Sequence, residues 1–574
     1  MSSYTQLARD PDAEPDLETI TTTNIEISNL RIHTLAAVVC SGGLLFGYDS
    51  GVIGGVLTFP SFHASFNITP STSTNVTSLT VGVQQAGALA GCLLISPVTN
   101  EYGRKKALML CSLIFCIGVI FEILNLHSLP IFYIGRVICG LGIGGSATVA
   151  PIYLAEMSPS HLRGRMGSGY QFTFTIGIFV SYWLDYALQF MPQSASQWQI
   201  PLALQLLPGA AMGAGLLFLP ESVRWLLDRG EARNAWKSLL WVRGPHPVSI
   251  YSATPSKVAA EFVEMKSAVE NDRSETANFH PRELLRRPNL RRILLAIGIF
   301  ISQQATGATA MAYFGPQFFE ILVGDPESSS SPGTESVSGS LPLLLTGIFG
   351  VLKVTSCLLF ILFIADRFGR RPLLSLGAAG MSLCLIATSI LLSTSSSQDP
   401  DPSTTTKILT VLLIYTTITT YNLSWGPLPW PLVAEIFPTR LRSPGVSLAV
   451  ASQWMSNFLW SVATPYILRD LRSGTFALFG VLDLLILCFV RWWLPETGGM
   501  NLEDVQGVFG DHGQGPGVGD GDGDGSLERE RIESDNESDS ERGVLRNSVD
   551  GLGGDVGVEF GDGHEGGGKI GTVR

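Results

Sequence analysis

The amino-acid sequence predicts an all-α membrane protein with twelve transmembrane helices in two six-helix bundles. Three observations support this fold: an apolar composition, apolar segments of membrane-spanning length, and charged motifs that recur in both halves. Hydrophobic residues make up 45% of the 574 residues and charged residues only 15%, whereas soluble domains average about 25% charged residues. The mean hydropathy is +0.28. This composition argues against a soluble multidomain chain.

The apolar segments set the number of helices. A bilayer core about 30 Å thick requires roughly 20 apolar residues per helix, and several segments reach that length. Gly and Pro interrupt some of them, which membrane helices tolerate when neighbouring helices cover the freed backbone groups. The predicted segments are 34–57, 78–98, 107–126, 130–153, 166–188, 200–219, 290–314, 341–364, 373–394, 407–433, 444–467 and 474–494.

Composition shifts divide the chain into five parts. The two bundles are predicted at 33–219 and 290–497, joined by a polar cytoplasmic loop at 220–289. Residues 1–32 and the Gly-, Asp- and Ser-rich tail 498–574 are expected to be disordered and cytoplasmic. The net charge of −12 lies largely in these tails and does not indicate a nucleic-acid partner. Eight cysteines fall in apolar segments, so no disulfide framework is expected.

Loop charge predicts the orientation. Lys and Arg concentrate in the loops on one side of the membrane, which places both termini in the cytoplasm. Two glycosylation sequons, at Asn67 and Asn75, then fall in the first external loop. The loops expected outside that contain no Lys or Arg are 58–77, 127–129, 189–199 and 324–340.

Three charged motifs recur in the same order in the two halves. Gly103-Arg104-Lys105-Lys106 corresponds to Gly369-Arg370-Arg371, and Pro220-Glu221-Ser222 corresponds to Pro495-Glu496-Thr497. The third repeat places Ala-Glu-x-x-Pro-x-x-x-Arg at 155–163 and again at 434–442. Repeated halves with a site at their interface suit alternating access. The motifs are predicted to form a charge network at the cytoplasmic helix ends, although the cations could instead only enforce orientation. The residues assigned to this gate are Arg104, Glu156, Arg163, Glu221, Arg224, Asp366, Arg370, Glu435, Arg442 and Glu496.

Further motifs accompany the repeat: Gly-Tyr-Asp at 47–49, Gly135-Arg136, Pro220-Glu-Ser-Val-Arg-Trp-Leu226, Gln303-Gln304 and Trp425-Gly-Pro-Leu-Pro-Trp430. Together with the repeat, they resemble the sugar porter family of the major facilitator superfamily across residues 33–505. Finer features at 84–87 and 346–353 resemble a fungal subgroup of sugar, quinate and galacturonate permeases. The resemblance implies the major facilitator fold and a sugar, polyol or sugar acid as substrate.

Asp49 and Arg136 are the predicted proton-coupling pair. Asp49 lies within the first apolar segment and Arg136 within the fourth. A charge at bilayer depth costs about 2.5–3.5 kcal/mol on insertion scales, so such residues are usually functional. Burial disfavours an ionised carboxylate and a nearby cation favours it, so bringing the pair together and apart could bind and release a proton. Proton-coupled family members share this Asp and Arg, and passive facilitators have Asn instead. A static structural ion pair is the alternative.

The predicted substrate site is rich in amides and aromatic rings. Amides offer donors and acceptors to hydroxyl groups, and aromatic faces suit the apolar face of a sugar ring. An interhelical hydrogen bond is the alternative for any one of these amides. The resemblance implies a site-facing role for Trp430, a gate role for Tyr313, and Thr309 where the family usually has Asn. The predicted lining is Gln171, Gln303, Gln304, Thr309, Tyr313, Lys353, Trp430, Gln453, Trp454 and Asn457.

Lys353 is unusual because it lies near the middle of the eighth segment. We hypothesise that it faces the central cavity and pairs with an anionic substrate such as a sugar acid or quinate. An ion pair with a protein carboxylate, or packing against carbonyl groups, is the alternative. Glu122 and Asp483 are further acids within membrane segments, and the sequence does not identify their partners.

The sequence contains no nucleotide-binding loop and no metal-ligand spacing. We therefore expect a transporter with no enzymatic activity, no cofactor and no metal, that uses the proton as coupling ion. The plasma membrane is its expected location, and a monomer its expected state. An uncoupled facilitator and a non-transporting nutrient sensor are the alternative functions.

Overall fold

The computed structural model describes residues 17–124, 126–159, 163–243, 257–277, 281–323, 340–365, 367–398, 403–437 and 439–496. Every regular element within these ranges is helical. Each predicted membrane segment coincides with one helix or with a helix pair broken near its middle.

The first half contains eight helices: five long ones, one short one, and a pair that together form the sixth segment. Five of them are continuous through a predicted segment, whereas the sixth segment is divided at Gln205. The helices are α1 (Leu17–Val56), α2 (Pro60–Ser65), α3 (Pro70–Tyr102), α4 (Arg104–Ile123), α5 (Leu129–Met157), α6 (Arg163–Leu188), α7 (Ala195–Leu204) and α8 (Leu206–Phe218).

The loop between the halves is itself helical in the described residues. It contains α9 (Val223–Asp228), α10 (Ala232–Arg243) and α11 (Lys257–Ala277), followed by a 3-10 turn at Pro281–Leu285. Helix α10 is amphipathic and buries Ala235, Leu239 and Val242. The loop therefore forms a small helical layer of its own.

The second half repeats the pattern with two broken segments. Gly307 adopts a left-handed φ of 77°, which favours glycine, and it separates the first two helices of the seventh segment. The helices are α12 (Arg287–Ala305), α13 (Ala308–Tyr313), α14 (Gly315–Val323), α15 (Ser340–Leu359), α16 (Arg370–Gln398), α17 (Thr404–Asn422), α18 (Pro429–Ile436), α19 (Thr439–Leu471) and α20 (Gly474–Trp493).

Eight helices in the described part of the chain are long and apolar enough to cross a membrane. Large apolar side chains on their outer surfaces are exposed, including Leu94, Phe218, Leu383 and Trp492. An exposed apolar surface of this kind suits contact with lipid tails rather than water.

A glycine stripe joins α1 to α6. Gly43, Gly47, Gly51 and Gly55 recur every four residues on one face of α1. A Cβ at any of these positions would overlap an atom of α6, for example the carbonyl oxygen of Phe174 at Gly47. Small residues at this spacing let two membrane helices approach closely. The stripe therefore fixes the position of α1, which carries Asp49.

One boundary differs from the sequence prediction, and one cannot be compared with it. Helix α1 begins at Leu17, within the segment predicted to be disordered through residue 32, because the first membrane helix continues into polar sequence. The predicted disordered tail 498–574 lies outside the described residues.

Candidate transport site

The repeated motifs lie at one face of the helix bundles, which we call the motif face; the opposite face is the far face. In the first half, Arg104 and Glu156 form a bidentate ion pair, with two N–O distances of 2.9 Å. Glu156 also accepts a hydrogen bond from the hydroxyl of Ser222. Glu221 accepts hydrogen bonds from the backbone N–H groups of Arg104 and Lys105 at 2.9 and 3.0 Å. It thereby caps the N-terminus of α4, where a negative charge is stabilising.

The second half repeats the arrangement. Arg370 lies 3.3 Å from a carboxylate oxygen of Glu435. Glu496 accepts hydrogen bonds from the backbone N–H groups of Arg370 and Arg371 at 2.9 and 3.1 Å. The sequence repeat is therefore also a repeat of contacts, and each pairing joins residues of the same half.

Among the other predicted gate residues, Arg224 is the one whose side chain is described, and it does not join this network. Arg224 is exposed and pairs with Asp272 on α11. Arg163 is the first residue of α6, and Arg442 lies in the first turn of α19. The structure does not describe their side chains. Asp366 lies outside the described residues.

Asp49 and Arg136 are in contact at the centre of the first half. Both side chains are fully buried, and a guanidinium nitrogen lies 2.8 Å from a carboxylate oxygen of Asp49. Gln84 on α3 joins the pair, because its amide donates to the second oxygen of Asp49 and accepts from Arg136. Three helices thus converge on one buried ion pair.

Glu122 on α4 is a second carboxylate at the same guanidinium. It is fully buried and lies 3.4 Å from Arg136, and its other oxygen has no hydrogen-bond partner among the described residues. Sequence reasoning identified Glu122 as a buried acid but not its partner, because pairing across helices leaves no local signal. Arg136 therefore pairs with two carboxylates, so the cluster carries a net negative charge when both carboxylates are ionised.

Gln303 connects the two broken segments of the second half, and Gln453 joins it from α19. Gln303 on α12 donates to the carbonyl groups of Trp425 and Gly426 at 2.9 and 3.1 Å. Gln453 on α19 donates to Gln303 at 3.0 Å. The carbonyl oxygens of Gln453 and Gln304 are buried without partners among the described residues, so both amides can still accept hydrogen bonds from a hydroxyl group.

Tyr313 and Asn457 lie where the two halves meet. The Tyr313 hydroxyl accepts from Gln85 of the first half at 3.0 Å and lies 3.3 Å from the amide nitrogen of Asn457. Asn457 also donates to Gln85 at 3.1 Å. These three side chains form a hydrogen-bonded triangle that we call the amide triangle. It joins α3 to α13 and α19.

Lys353 on α15 is buried against the first half. Its Nζ lies 5.7 Å from the centre of the Phe174 ring on α6, a distance typical of a cation–π contact. No described carboxylate contributes to its electrostatic environment, which argues against the alternative of an ion pair with a protein acid. Gln171, one turn before Phe174, is half-buried.

The remaining predicted lining residues are aromatic or lie beside aromatic rings. Trp454 is buried and its ring centre lies 5.5 Å from that of Phe46, across the interface between the halves. Its indole nitrogen has no partner among the described residues. Half-buried Trp430 contacts Phe300 edge-on, with 5.2 Å between ring centres, and half-buried Thr309 lies beside Tyr421.

The contacts between the halves concentrate toward the far face. Ser78 donates to the carbonyl of Val462 at 2.8 Å, and Tyr466 donates to the side-chain oxygen of Asn75 at 3.0 Å. The Tyr182 hydroxyl on α6 donates to the carbonyl of Ala312. The far ends of the two halves are thus joined, which corresponds to a closed far face. Asn67, the other predicted glycosylation residue, is exposed.

Comparison with known proteins identifies the family. The family model "Sugar (and other) transporter" matches residues 35–509, nearly all of the helical part. The chain belongs to the sugar porter family of the major facilitator superfamily. This sugar porter is 33% identical over 496 residues to a probable quinate permease of Neosartorya fischeri, covering 84% of this chain and 88% of the relative. It is 32% identical to the quinate permease of Emericella nidulans, covering 84% and 89%.

Solved structures agree with the family assignment. The sugar porter is 25% identical to the proton:xylose symporter XylE bound to 6-bromo-6-deoxy-D-glucose, with a TM-score of 0.66 over 84% of this chain and 100% of that chain. It is 26% identical to a partially occluded inward-open conformation of XylE from E. coli, with a TM-score of 0.66 over 82% and 99%. The predicted major facilitator fold of twelve helices in two bundles is confirmed. The chain is a membrane transporter and not an enzyme.

Proposed function

We propose that this sugar porter is a proton-coupled symporter in which Asp49 carries the proton. The observation that supports this most strongly is the burial of Asp49 against Arg136 within the membrane region. A buried ion pair is poorly suited to stabilising a fold, because desolvation offsets much of the Coulomb attraction. Its presence at the centre of a transporter therefore favours a functional role.

Glu122 makes protonation of Asp49 feasible. When Asp49 binds a proton, Arg136 would otherwise become an unpaired buried cation, which is costly. Glu122 lies 3.4 Å from the same guanidinium and can remain its counter-ion. A proton added to Asp49 then changes which groups hold α1 to α5, and this rearrangement can be linked to movement of α1.

The substrate is proposed to bind between the halves, beside α12, α13 and α19. Gln304 and Gln453 have carbonyl oxygens without partners among the described residues, and Trp454 has such an indole nitrogen. These groups offer two acceptors and one donor to a molecule that carries several hydroxyl groups. The closed far face implies that this site is reached from the motif face in the present conformation.

The substrate class we favour is a polyhydroxy carboxylate. Lys353 is a buried ammonium with an aromatic contact, and the curated relatives named above are quinate permeases. A buried cation is costly unless it is paired, and an anionic substrate would provide the partner. A neutral monosaccharide is the second candidate, supported by the sugar ligand bound to XylE.

We place the transporter in the plasma membrane as a monomer, with both termini and the motif face in the cytoplasm. This orientation is supported by the loop charge pattern. It would make the present conformation open toward the cytoplasm and closed toward the outside.

Substrate-induced alkalinisation of the medium tests proton symport. Cells that lack their own carriers should take up one member of a radiolabelled panel of hexoses, pentoses, uronic acids and quinate, and the medium should become more alkaline. Asp49→Asn should abolish the alkalinisation. Asp483→Asn is the matched control, because Asp483 is equally buried but lies on α20, away from Arg136, and it should retain the response. Uptake without alkalinisation would indicate an uncoupled facilitator, and no uptake of any compound would favour a sensor.

Lys353→Met tests the substrate charge, because Met keeps the length of the side chain and removes its charge. We expect uptake of the acidic substrate to fall at least tenfold while the protein still reaches the membrane. Normal neutral-sugar uptake in this variant, together with absence of acid uptake by the wild type, would contradict an anionic substrate.

A further inference from the structure

Asp185 on α6 is a buried acid that the proposed coupling mechanism does not use. The residue is 1% exposed, neither carboxylate oxygen makes a hydrogen bond of good geometry with a described residue, and the polar contact of the carboxylate is with the backbone of Gly55. Arg136 pairs with Asp49 and Glu122, whereas no cation among the described residues pairs with Asp185. An ionised carboxylate in this environment would be very costly, whereas the neutral acid is tolerated. Asp185 is therefore protonated in the conformation described here.

The carboxyl group is held against α1. Gly55 is the last residue of the glycine stripe, and a Cβ there would overlap the carboxyl group of Asp185. Gly55 lies six residues beyond Asp49 on α1, about 9 Å along the helix axis. A negative charge on Asp185 would thus be buried at the interface between α1 and α6.

The surroundings of Asp185 contain no charged group among the described residues. The titratable side chains near it are Tyr48 on α1 and Tyr182 on α6. Their hydroxyls donate to the carbonyl groups of Pro201 and Ala312 respectively. On the adjacent α15, Lys353 contacts Phe174, which lies eleven residues from Asp185, about 16 Å along α6. The protonation state of Asp185 therefore depends mainly on whether water reaches it.

The second half covers this region and is the part that must move. The carbonyl of Ala312 accepts from Tyr182, one turn before Asp185. On α1, Gly54 packs against the carbonyl of Tyr313, next to Gly55. Opening the far face separates these contacts and admits water beside Asp185. Hydration stabilises the ionised carboxylate, so the group can lose its proton in that state.

We propose that Asp185 is a second proton-binding site, filled from the far face, and that its occupation is required for that face to close. The proton at Asp185 enters from the far side and is released to the far side again. It is a different proton from the one that Asp49 carries across the membrane. Proton binding at Asp185 would regulate the proposed symport, but it does not require the protein to be a symporter.

The sign of the pH effect follows from the geometry. The closed far face accepts only the neutral acid, and the open far face accepts both forms. Rising pH on the far side therefore populates the ionised form and holds the far face open. If closure is limited by this proton, the closed-to-open ratio should fall by up to about tenfold per pH unit. Asn has nearly the shape of the neutral acid and no charge to lose.

Cysteine accessibility from the far side tests the proposal without requiring transport. Ser78 is buried between the halves, so Ser78→Cys reports opening of the far face to a membrane-impermeant thiol reagent. Asn67→Cys, on the exposed loop, corrects for the effect of pH on the reagent. We expect labelling of Ser78→Cys, divided by labelling of Asn67→Cys, to rise with external pH in the parent and in Asp49→Asn. This ratio should be low and independent of pH in Asp185→Asn, and Asp483→Asn should behave as the parent.

Two results would overturn the proposal: labelling that is independent of pH in the parent, or Asp185→Asn that keeps the parent's pH dependence. Asp185→Ala, which also removes the charge, provides the same test if the Asn variant does not reach the membrane. Uptake gives a second readout, because Asp185→Asn should be faster than wild type at alkaline external pH. Failure of symport would instead be seen as absent alkalinisation, with the labelling pattern unchanged.

Discussion

Gln85 on α3 donates a hydrogen bond to the hydroxyl of Tyr313 on α13 at 3.0 Å, and this contact joins the two halves of the transporter. It consists of neutral groups, whereas the ion pairs at the motif face join residues of the same half. Neutral hydrogen bonds contribute about 0.5–1.5 kcal/mol each. The far face is thus held by contacts weak enough to be broken in each transport cycle.

Tyr313→Phe should weaken closure of the far face. The substitution removes the acceptor of Gln85 and Asn457, which should shift the balance toward the open far face by about 1–2 kcal/mol. Labelling of Ser78→Cys by an impermeant thiol reagent should rise about five- to thirtyfold relative to the Tyr313 parent. Phe489→Tyr, on α20, is the control and should leave labelling unchanged. Unchanged labelling in Tyr313→Phe would show that the amide triangle does not hold the face closed.

Glu122→Gln should impair proton coupling without preventing folding. With Glu122 neutral, protonation of Asp49 would leave Arg136 without a counter-ion, so proton loading should be harder. We expect half-maximal uptake at a more acidic external pH than in wild type, measured across a pH series. If the pH profile and the extent of alkalinisation both remain as in wild type, Glu122 has no part in coupling.

Glu221→Gln and Glu496→Gln should destabilise the protein by similar amounts. Each carboxylate caps the N-terminus of the equivalent helix, α4 or α16, through two backbone N–H groups. Loss of a charged hydrogen-bond acceptor costs about 1.5–3 kcal/mol, which should lower the thermal unfolding temperature in detergent. Glu264→Gln, on exposed α11, should have no effect. A large difference between the two caps would contradict the equivalence of the halves.

Gly47→Ala should disturb the contact between α1 and α6. The new Cβ would overlap the carbonyl of Phe174, and overpacking of this kind costs about 1–3 kcal/mol. Gly167→Ala, also in a helix but with no atom near the added Cβ, should be neutral or slightly stabilising. Thermal unfolding of the two variants measures the difference. Equal stability of Gly47→Ala and wild type would mean that α1 can move away from α6 at no cost.

Much of the fold could be predicted from the sequence because membrane helices leave a strong local signal. The apolar lengths located all twelve segments, and the repeated motifs revealed the two halves. Breaks inside segments were not predicted, although Gly307 marks one of them. A Cβ at this position would overlap the ring of Phe479, a contact that residue order does not reveal.

The candidate site could be predicted only where a residue type is unusual by itself. Asp49 and Arg136 stand out as charges within apolar segments, and the structure brings them together. The sequence could not reveal the position of Glu122 beside Arg136, since the two lie on different helices. Asp185 was missed because it lies near the end of a segment, where an acid could equally face water. Its burial away from any described cation becomes visible only in three dimensions.

Accumulation of substrate in proteoliposomes is the most direct test of proton-coupled transport through Asp49. With an inward proton gradient, the wild type should concentrate substrate above the external level, and collapse of the gradient should release it. Asp49→Asn should only equilibrate substrate across the membrane. Accumulation by Asp49→Asn equal to that of the wild type would contradict the account, as would a wild type that never exceeds equilibrium.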